Sequence, residues 1–400
     1  MYSIRMVMST LVITLIILTK STLAQVGTTA LPFLEINNNA RSVGLAGADV
    51  AMMGGNGAFL NPATLGNRNS ITISSPFTRE SGYSFFSTPW LPSLNDNLSY
   101  QNPSIIVGLD RLTIAYHFNK FDAGEVDTRL RVSEGEGDIY RNYDQIHGFS
   151  MSYSVGEKFS IGTGINSYKS NIYNGSFTGL SFDFGAYFQN PITFHDLKIT
   201  PSVGWSLTDF GSNIETDRQD FFVDVDGEGS VHTLLQPDYP LSTLMRGGIG
   251  LKFEATKNVL GYTPLSIGFY GALSKKMVRF KDDRYPYSPF ETLYKSWDTY
   301  SYFNGSETIE LPLWDQLIRH SGIEINVLEI VSIRSGHFYQ HENNGGLNYD
   351  TFGIGVHYKF FALDYAELVF PYRSSPLAGT KYYQLSINIP LDDVTGLFKK

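Results

Sequence analysis

From Leu112 to Phe118 every second residue is apolar (Leu112, Ile114, Tyr116, Phe118), and Thr113, Ala115 and His117 between them are small or polar. Phe149, Met151, Tyr153 and Val155 alternate in the same way with Ser150, Ser152 and Ser154, and Leu180, Phe182, Phe184, Ala186 and Phe188 with Ser181, Asp183 and Gly185. A period of two is the mark of a strand with two unlike faces. It returns at 159–166, 197–208, 241–254, 265–274, 321–327, 352–359 and 383–391, and more weakly near 70–76, 103–109, 330–338 and 361–369. The pattern predicts an all-β fold of about fourteen strands, an even number that brings both chain ends to one side of the sheet.

The connections alternate in length. Long segments at 77–102, 120–143, 210–240 and 278–316 are interleaved with short turns at Asp110, Gly156-Glu157, 190–196, 255–263 and Leu328-Glu329. Long loops then fall on one side and short turns on the other, as in transmembrane barrels. A large soluble sandwich or propeller is the competing architecture, but no internal repeat of about 40–50 residues supports a propeller. The expected fold is a transmembrane antiparallel β-barrel with its apolar faces outward. Its lumen would carry Arg111, His117, Asp183, Lys198, Arg246, Lys252, Glu254, Glu324, Arg334, His357, Lys359 and Asp364. Both signs occur there, so the lumen reads as braced by ion pairs rather than as an ion-selective pore. Arg246, Arg334 and Asp364 are the candidates for such pairing.

One stretch breaks the alternation. Asn37–Gly66 is rich in glycine and alanine and almost free of charge, and Asn61-Pro62 has the form of a helix start. Glycines recur on the proposed inner face at 162, 164, 185, 204, 248, 250, 268, 322, 336, 353 and 355. They either admit another backbone inside the barrel or curve the sheet, and the pattern alone leaves both open. On the first alternative the stretch is an N-terminal plug.

Residues 1–24 change the setting. Arg5, the apolar run Leu11–Leu18 and the small residues Thr22-Leu23-Ala24 have the form of an export signal, and the run is shorter than a spanning helix requires. Residue 25 is Gln, not Cys, which excludes a lipoprotein anchor. The expected organisation is a signal peptide at 1–24, a plug segment at 25–69, a barrel at 70–391 and a tail at 392–400, in a bacterial outer membrane.

Composition agrees with β-structure: aromatics reach 14%, with 25 Tyr and 28 Phe, beside 38 Gly and only 17% charged residues. The absence of cysteine removes disulfides, thiolate metal sites and cysteine nucleophiles together. A net charge of −9 argues against a nucleic-acid partner. Neither Gly-x-Ser-x-Gly nor His-Glu-x-x-His occurs, and the eight His are scattered; His117, His320, His337 and His357 read as individual lumen or loop residues. In Asp224-Val225-Asp226-Gly227-Glu228 the glycine comes too early for an EF-hand, so the loop reads as a solvated acidic face. No catalytic residue, cofactor or metal is assigned, and the chain reads as a non-enzyme.

The chain resembles the PorV/PorQ family of outer-membrane proteins, relatives of the FadL fatty-acid transporters. The resemblance rests on Ala40-Arg41-Ser42-Val43-Gly44-Leu45-Ala46-Gly47-Ala48 leading to Asn61-Pro62-Ala63, and on Gly204-Trp205-Ser206-Leu207-Thr208-Asp209-Phe210-Gly211. It rests also on Ile333-Arg334-Ser335-Gly336-His337, Thr351-Phe352-Gly353-Ile354-Gly355 and Phe361-Ala362-Leu363-Asp364-Tyr365-Ala366. It implies a fourteen-strand barrel with an N-terminal plug whose motif residues here are Arg41, Gly44, Gly47, Asn61, Pro62 and Ala63. Two roles follow from it. The first is a scaffold linked to type IX secretion, contacting secreted cargo proteins and secretion-system subunits through aromatic outer loops. The alternative is a FadL-like transporter of hydrophobic small molecules, for which Phe59 and Leu60 are the ligand-binding candidates. Outer-membrane lipid is a partner on either reading.

Overall fold

The structure is a computed structural model, and it describes residues 29–37, 39–54, 59–66, 70–78, 84–85, 88–89, 98–127, 139–172, 175–215, 222–224, 231–233, 238–259, 261–281, 286–303, 307–371, 375 and 377–391. The expected signal at 1–24, the tail at 392–400 and the acidic residues 225–230 lie outside these.

Fourteen strands close into an antiparallel barrel. They are β1 (Ser70–Thr78), β2 (Ser104–Leu109), β3 (Leu112–Asp127), β4 (Ile139–Val155), β5 (Phe159–Ile172), β6 (Gly175–Gln189), β7 (Leu197–Gly211), β8 (Leu244–Ala255), β9 (Leu265–Lys276), β10 (Leu317–Val327), β11 (Val331–Tyr339), β12 (Asn348–Tyr358), β13 (Phe361–Val369) and β14 (Lys381–Pro390). Each pairs with the next in sequence, and β14 returns to β1 with Ser70 opposite Pro390 and Ile73 opposite Ile387. Closure leaves no free sheet edge among these strands, a condition for crossing lipid with strands.

The two faces are inverted relative to a soluble barrel. Outward positions carry exposed Phe149, Met151, Tyr153, Phe182, Phe184, Val203, Ile249 and Ile354, while inward Ser150, Ser152, Ser160, Ser202, Ser206 and Thr351 are buried. An apolar exterior around a polar interior is stable only in lipid. No helix among the described residues is long and apolar enough to cross a membrane.

Short connections lie at one rim, at 110–111, 156–158, 190–196, 256–264, 328–330 and 359–360, and the long ones lie at the other. At the long-loop rim β5 and β6 stay paired up to Ile172 opposite Gly175, because these strands are themselves long, with 14 and 15 residues. Two expectations need correction here. The segment 120–143 is not one long loop, because β3 runs to Asp127 and β4 starts at Ile139. Above the membrane both faces of a ladder meet water, so pairing continues where the apolar alternation has ended. Of the residues expected in the lumen, Arg111 and Lys359 instead lie exposed at the short-turn rim.

The N-terminal residues run through the lumen. Ala30 makes a parallel bridge to Leu241, and Leu31 and Phe33 pack with Tyr100, Ile146, Tyr168 and Ile214 towards the long-loop rim. A short helix, α1 (Ala40–Gly44), follows, capped by Asn39, whose side chain accepts from Ser42 N. Asn61-Pro62 starts a helix as expected, a single-turn 3-10 helix, Pro62–Thr64, with Asn61 as its cap, Oδ1 accepting from Ala63 N at 3.1 Å. Gly66 ends this inner segment with φ +81° and leads to β1 at the short-turn rim.

Inner-wall glycines face this segment directly. A Cβ at Gly162, Gly185, Gly204, Gly248, Gly250, Gly322, Gly336 or Gly353 would meet atoms of residues 44–63. At Gly336 it would stand 2.6 Å from the Leu45 carbonyl carbon and 2.7 Å from Ala46 N, both backbone atoms that cannot step aside singly. Gly164, Gly268 and Gly355 differ, since a Cβ there would meet wall side chains instead. Close approach thus accounts for most of the glycine pattern.

Gly336→Val should therefore displace the inner segment while leaving the barrel closed, at a cost of about 1–3 kcal/mol. The expected result is retained heat-modifiable migration on gels with faster protease cleavage within residues 40–66; unchanged cleavage would count against this packing.

Candidate functional site

Three strands contribute the charges of the lumen floor. Glu324, Arg334 and Asp364 each lie three residues in from a short-turn end, at Val327, Val331 and Phe361 respectively. Glu324 and Arg334 are direct cross-strand partners on β10 and β11, and Asp364 on β13 is opposite Gly355 on β12. Gly355 leaves the space in which Arg334 reaches over β12, since a Cβ there would press on the Asp364 carboxylate and the Arg334 guanidinium. Arg334 Nη1 donates to Asp364 Oδ1 at 2.6 Å and Arg334 Nε to Glu324 Oε2 at 2.7 Å.

The inner segment completes this cluster. Arg41 on α1 donates from Nε to Glu324 Oε2 at 2.8 Å and from Nη2 to Glu324 Oε1 at 2.7 Å, a bidentate pair. Arg41 Nη1 also reaches the Gly54 carbonyl at 3.3 Å. Burial works against the Arg41 charge, but the Glu324 carboxylate outweighs it and holds the guanidinium above its usual value. The four side chains are formally neutral together, two arginines against two carboxylates, with the Arg334 and Glu324 side chains 0% and 1% exposed. His357 Nε2 lies 3.4 Å from Asp364 Oδ1.

Wall side chains serve the rest of the segment backbone. Ser160 Oγ and Ser152 Oγ donate to the Ala63 carbonyl at 2.7 and 3.2 Å, Ser202 Oγ to Ala51 at 2.7 Å, and Thr351 Oγ1 to Gly44 at 3.0 Å. Asn61 Nδ2 donates to the Val50 carbonyl at 3.0 Å and to that of Ala186 on the wall at 3.2 Å. Gly44 packs on Gly353 and Arg334, while Gly47, with φ +76°, lies beside His320.

Above this floor, on the long-loop side, the lumen opens into a cavity of about 410 Å³. Phe59 and Leu60 line it, together with Val43, Tyr349, Leu368 and Tyr382. The Phe59 and His117 rings are 4.4 Å apart at their centroids. Arg246 also lines the cavity rather than the floor cluster, and its Nη1 donates to Thr208 Oγ1 at 2.7 Å. Of the three pairing candidates suggested by the strand pattern, Arg334 and Asp364 meet each other, and Arg246 forms no ion pair with a described residue.

Glu324, which joins segment to wall, is one of the expected lumen residues but not one of the three pairing candidates. Its signal is its place on the polar face opposite Arg334, but a strand pattern does not give register. His337 faces outward, not into the lumen, and pairs with Asp350 at 2.8 Å. Among the described residues no group of three or more His, Asp or Glu side chains could hold a metal ion.

No family model and no curated protein matches the sequence. Among solved structures the chain is similar to the Ralstonia pickettii toluene transporter TbuX, at 12% identity over 89% of this chain and 97% of that one, with a TM-score of 0.41. It is also similar to a Pseudomonas aeruginosa FadL homologue (11%, 88% and 98%, TM-score 0.39) and to the P. putida toluene transporter TodX (12%, 89% and 97%, TM-score 0.38). Likenesses this distant carry no functional argument, which rests on the geometry.

Glu324→Gln should cost about 3–5 kcal/mol, because it takes the shared carboxylate from both guanidinium groups and leaves Arg41 without its partner. Asp364→Asn should cost less, about 1–3 kcal/mol, since Arg334 keeps Glu324. Urea titration of the barrel in detergent measures both, and an equal loss would deny Glu324 its bridging place.

Proposed function

We propose that the protein is a non-enzymatic outer-membrane barrel of FadL-like type that holds small hydrophobic molecules in its lumen and passes them across the membrane. Residues 25–69 act as its plug, and residues 1–24 as its export signal. The observation that carries this reading is the cavity of about 410 Å³ between the inner segment and the long-loop rim, walled on one side by Val43, Tyr349, Leu368 and Tyr382. Its size falls within the range of small-molecule sites, and a largely apolar lining with a few polar groups is their usual make-up. The floor beneath it is filled by the inner segment and neutralised by the Arg41–Glu324–Arg334–Asp364 cluster. A ligand entering from the rim would thus meet an apolar wall first and a closed floor after it, so passage requires the segment to shift.

A second reading, a PorV/PorQ-type scaffold for type IX secretion that binds secreted cargo or secretion subunits, draws support from the loop side. The helix α2 (Pro289–Lys295) and its surroundings expose Phe290 at 73%, Tyr294 at 60% and Trp314 at 58%, and exposed aromatics commonly anchor partners. Interfacial lipid would use the same side chains. Affinity purification from native membranes that recovers neither cargo nor secretion subunits would remove this reading.

The transport reading is tested with the full barrel in liposomes. Protein-dependent entry of toluene is expected, and Leu368→Trp, which fills the apolar wall, should lower it about tenfold, as loss of well-matched apolar contacts does. Entry at the protein-free rate would overturn it.

A further inference from the structure

The cavity has two unlike walls. Facing Tyr349, Leu368 and Tyr382 on β12 to β14 is a polar arc on β6 to β9 that includes Asp183, Asp209 and Arg246. Asp209 is set there by the irregularity between Leu207 and Phe210, where the β7 ladder against β6 shifts register and Asp209 takes φ +57°. Bulges of this kind re-aim side chains. Asp183 is held from both sides, its Oδ1 accepting from Asp209 N at 2.7 Å and its Oδ2 from Asn166 Nδ2 at 2.9 Å. The Asp209 carboxylate lies beside Thr208, to whose hydroxyl Arg246 is tied through Nη1 at 2.7 Å. Nearby, His117 and Asn119 line the same cavity, 2% and 4% exposed, with His117 Nδ1 and Asn119 Oδ1 lacking a hydrogen-bond partner among the described residues.

Each class of ligand meets this arc differently. A pure hydrocarbon would strip water from Asp209 and Arg246 and return nothing. A carboxylate would gain Arg246 but face Asp183 and Asp209, and an ammonium head would gain the two acids but face Arg246; Lys276 and Glu35, also in the lining, are taken up by each other at 2.6 Å. A neutral hydroxyl avoids both conflicts, since its O–H can donate to a carboxylate while its oxygen accepts from a guanidinium.

We propose that the cavity selects neutral amphipathic molecules, with an apolar or aromatic body against Tyr349, Leu368 and Tyr382 and a hydroxyl-type head between Asp209 and Arg246. This rests on the transport reading and narrows its substrate class.

Four probes of one shape separate the possibilities: toluene, 4-methylphenol, 4-methylbenzoate and 4-methylbenzylammonium, each measured for binding to the full barrel in detergent by calorimetry and for entry into barrel-containing liposomes. The expected result is that 4-methylphenol binds at least about tenfold more tightly than the other three, the worth of one or two buried hydrogen bonds. Asp209→Asn keeps an acceptor and tolerates the left-handed backbone, so it should relax the rejection of 4-methylbenzoate about tenfold. Heat-modifiable migration of the variant at the wild-type temperature shows its barrel to be intact. Toluene or a charged probe matching 4-methylphenol in the wild type would overturn the selectivity while leaving transport standing. Failure of all four to bind or enter would overturn both.

Discussion

An irregular backbone at membrane depth must find its hydrogen bonds inside the protein, because lipid supplies none. That constraint shapes this barrel. The described residues 40–54 and 59–66 form one short helix and isolated 3-10 turns, so many of their carbonyls have no partner within the segment. The wall answers with hydroxyls at Ser152, Ser160, Ser202, Ser206 and Thr351, each donating to a segment carbonyl. Such short donors serve only if the two backbones nearly touch, which accounts for the glycines on the same inner rows, Gly336 against Leu45 and Gly353 against Gly44.

The ionic cluster adds direction to this packing rather than much net stability. A buried pair roughly breaks even against apolar residues of the same shape, yet losing one member is costly. Glu324 is shared by Arg41 of the segment and Arg334 of the wall, so withdrawing the segment would remove one of two cations from a carboxylate that remains buried. The segment is thereby held in one register, and any movement that opens the lumen must either carry Arg41 to new partners or admit water to Glu324.

Much of the architecture was legible in the sequence because lipid outside and a protein-filled lumen inside impose opposite demands on alternate residues. Where those demands hold, as along Phe149–Val155, alternation marks the strand and its faces; where they lapse, as beyond Asp122 on β3 and before Tyr143 on β4, the ladder continues without a pattern to betray it. Ser335 and His337 are polar residues on the outer row, so their place follows from their parity with Arg334 and Gly336 and not from their chemistry. The pairing of Arg334 with Asp364 across Gly355 depends on register, and the part played by Asp209 depends on a bulge. Neither is written in residue type alone.

The two charged regions of the lumen also differ in a way that composition conceals. Near the short-turn rim, Arg41, Glu324, Arg334 and Asp364 bind one another directly at 2.6–2.8 Å, with Arg334 Nη2 left over behind Gly355. Nine residues in from Ala255, at the other end of β8, Arg246 lies beside acids it does not directly pair with. A protein seeking only rigidity would have closed both sets in the same manner. Because polar groups in a confined, low-dielectric space are costly to leave half-satisfied, the incomplete pairing of Arg246 falls where it can be completed from outside, in the cavity, whereas at the floor the inner segment already supplies Arg41 to Glu324.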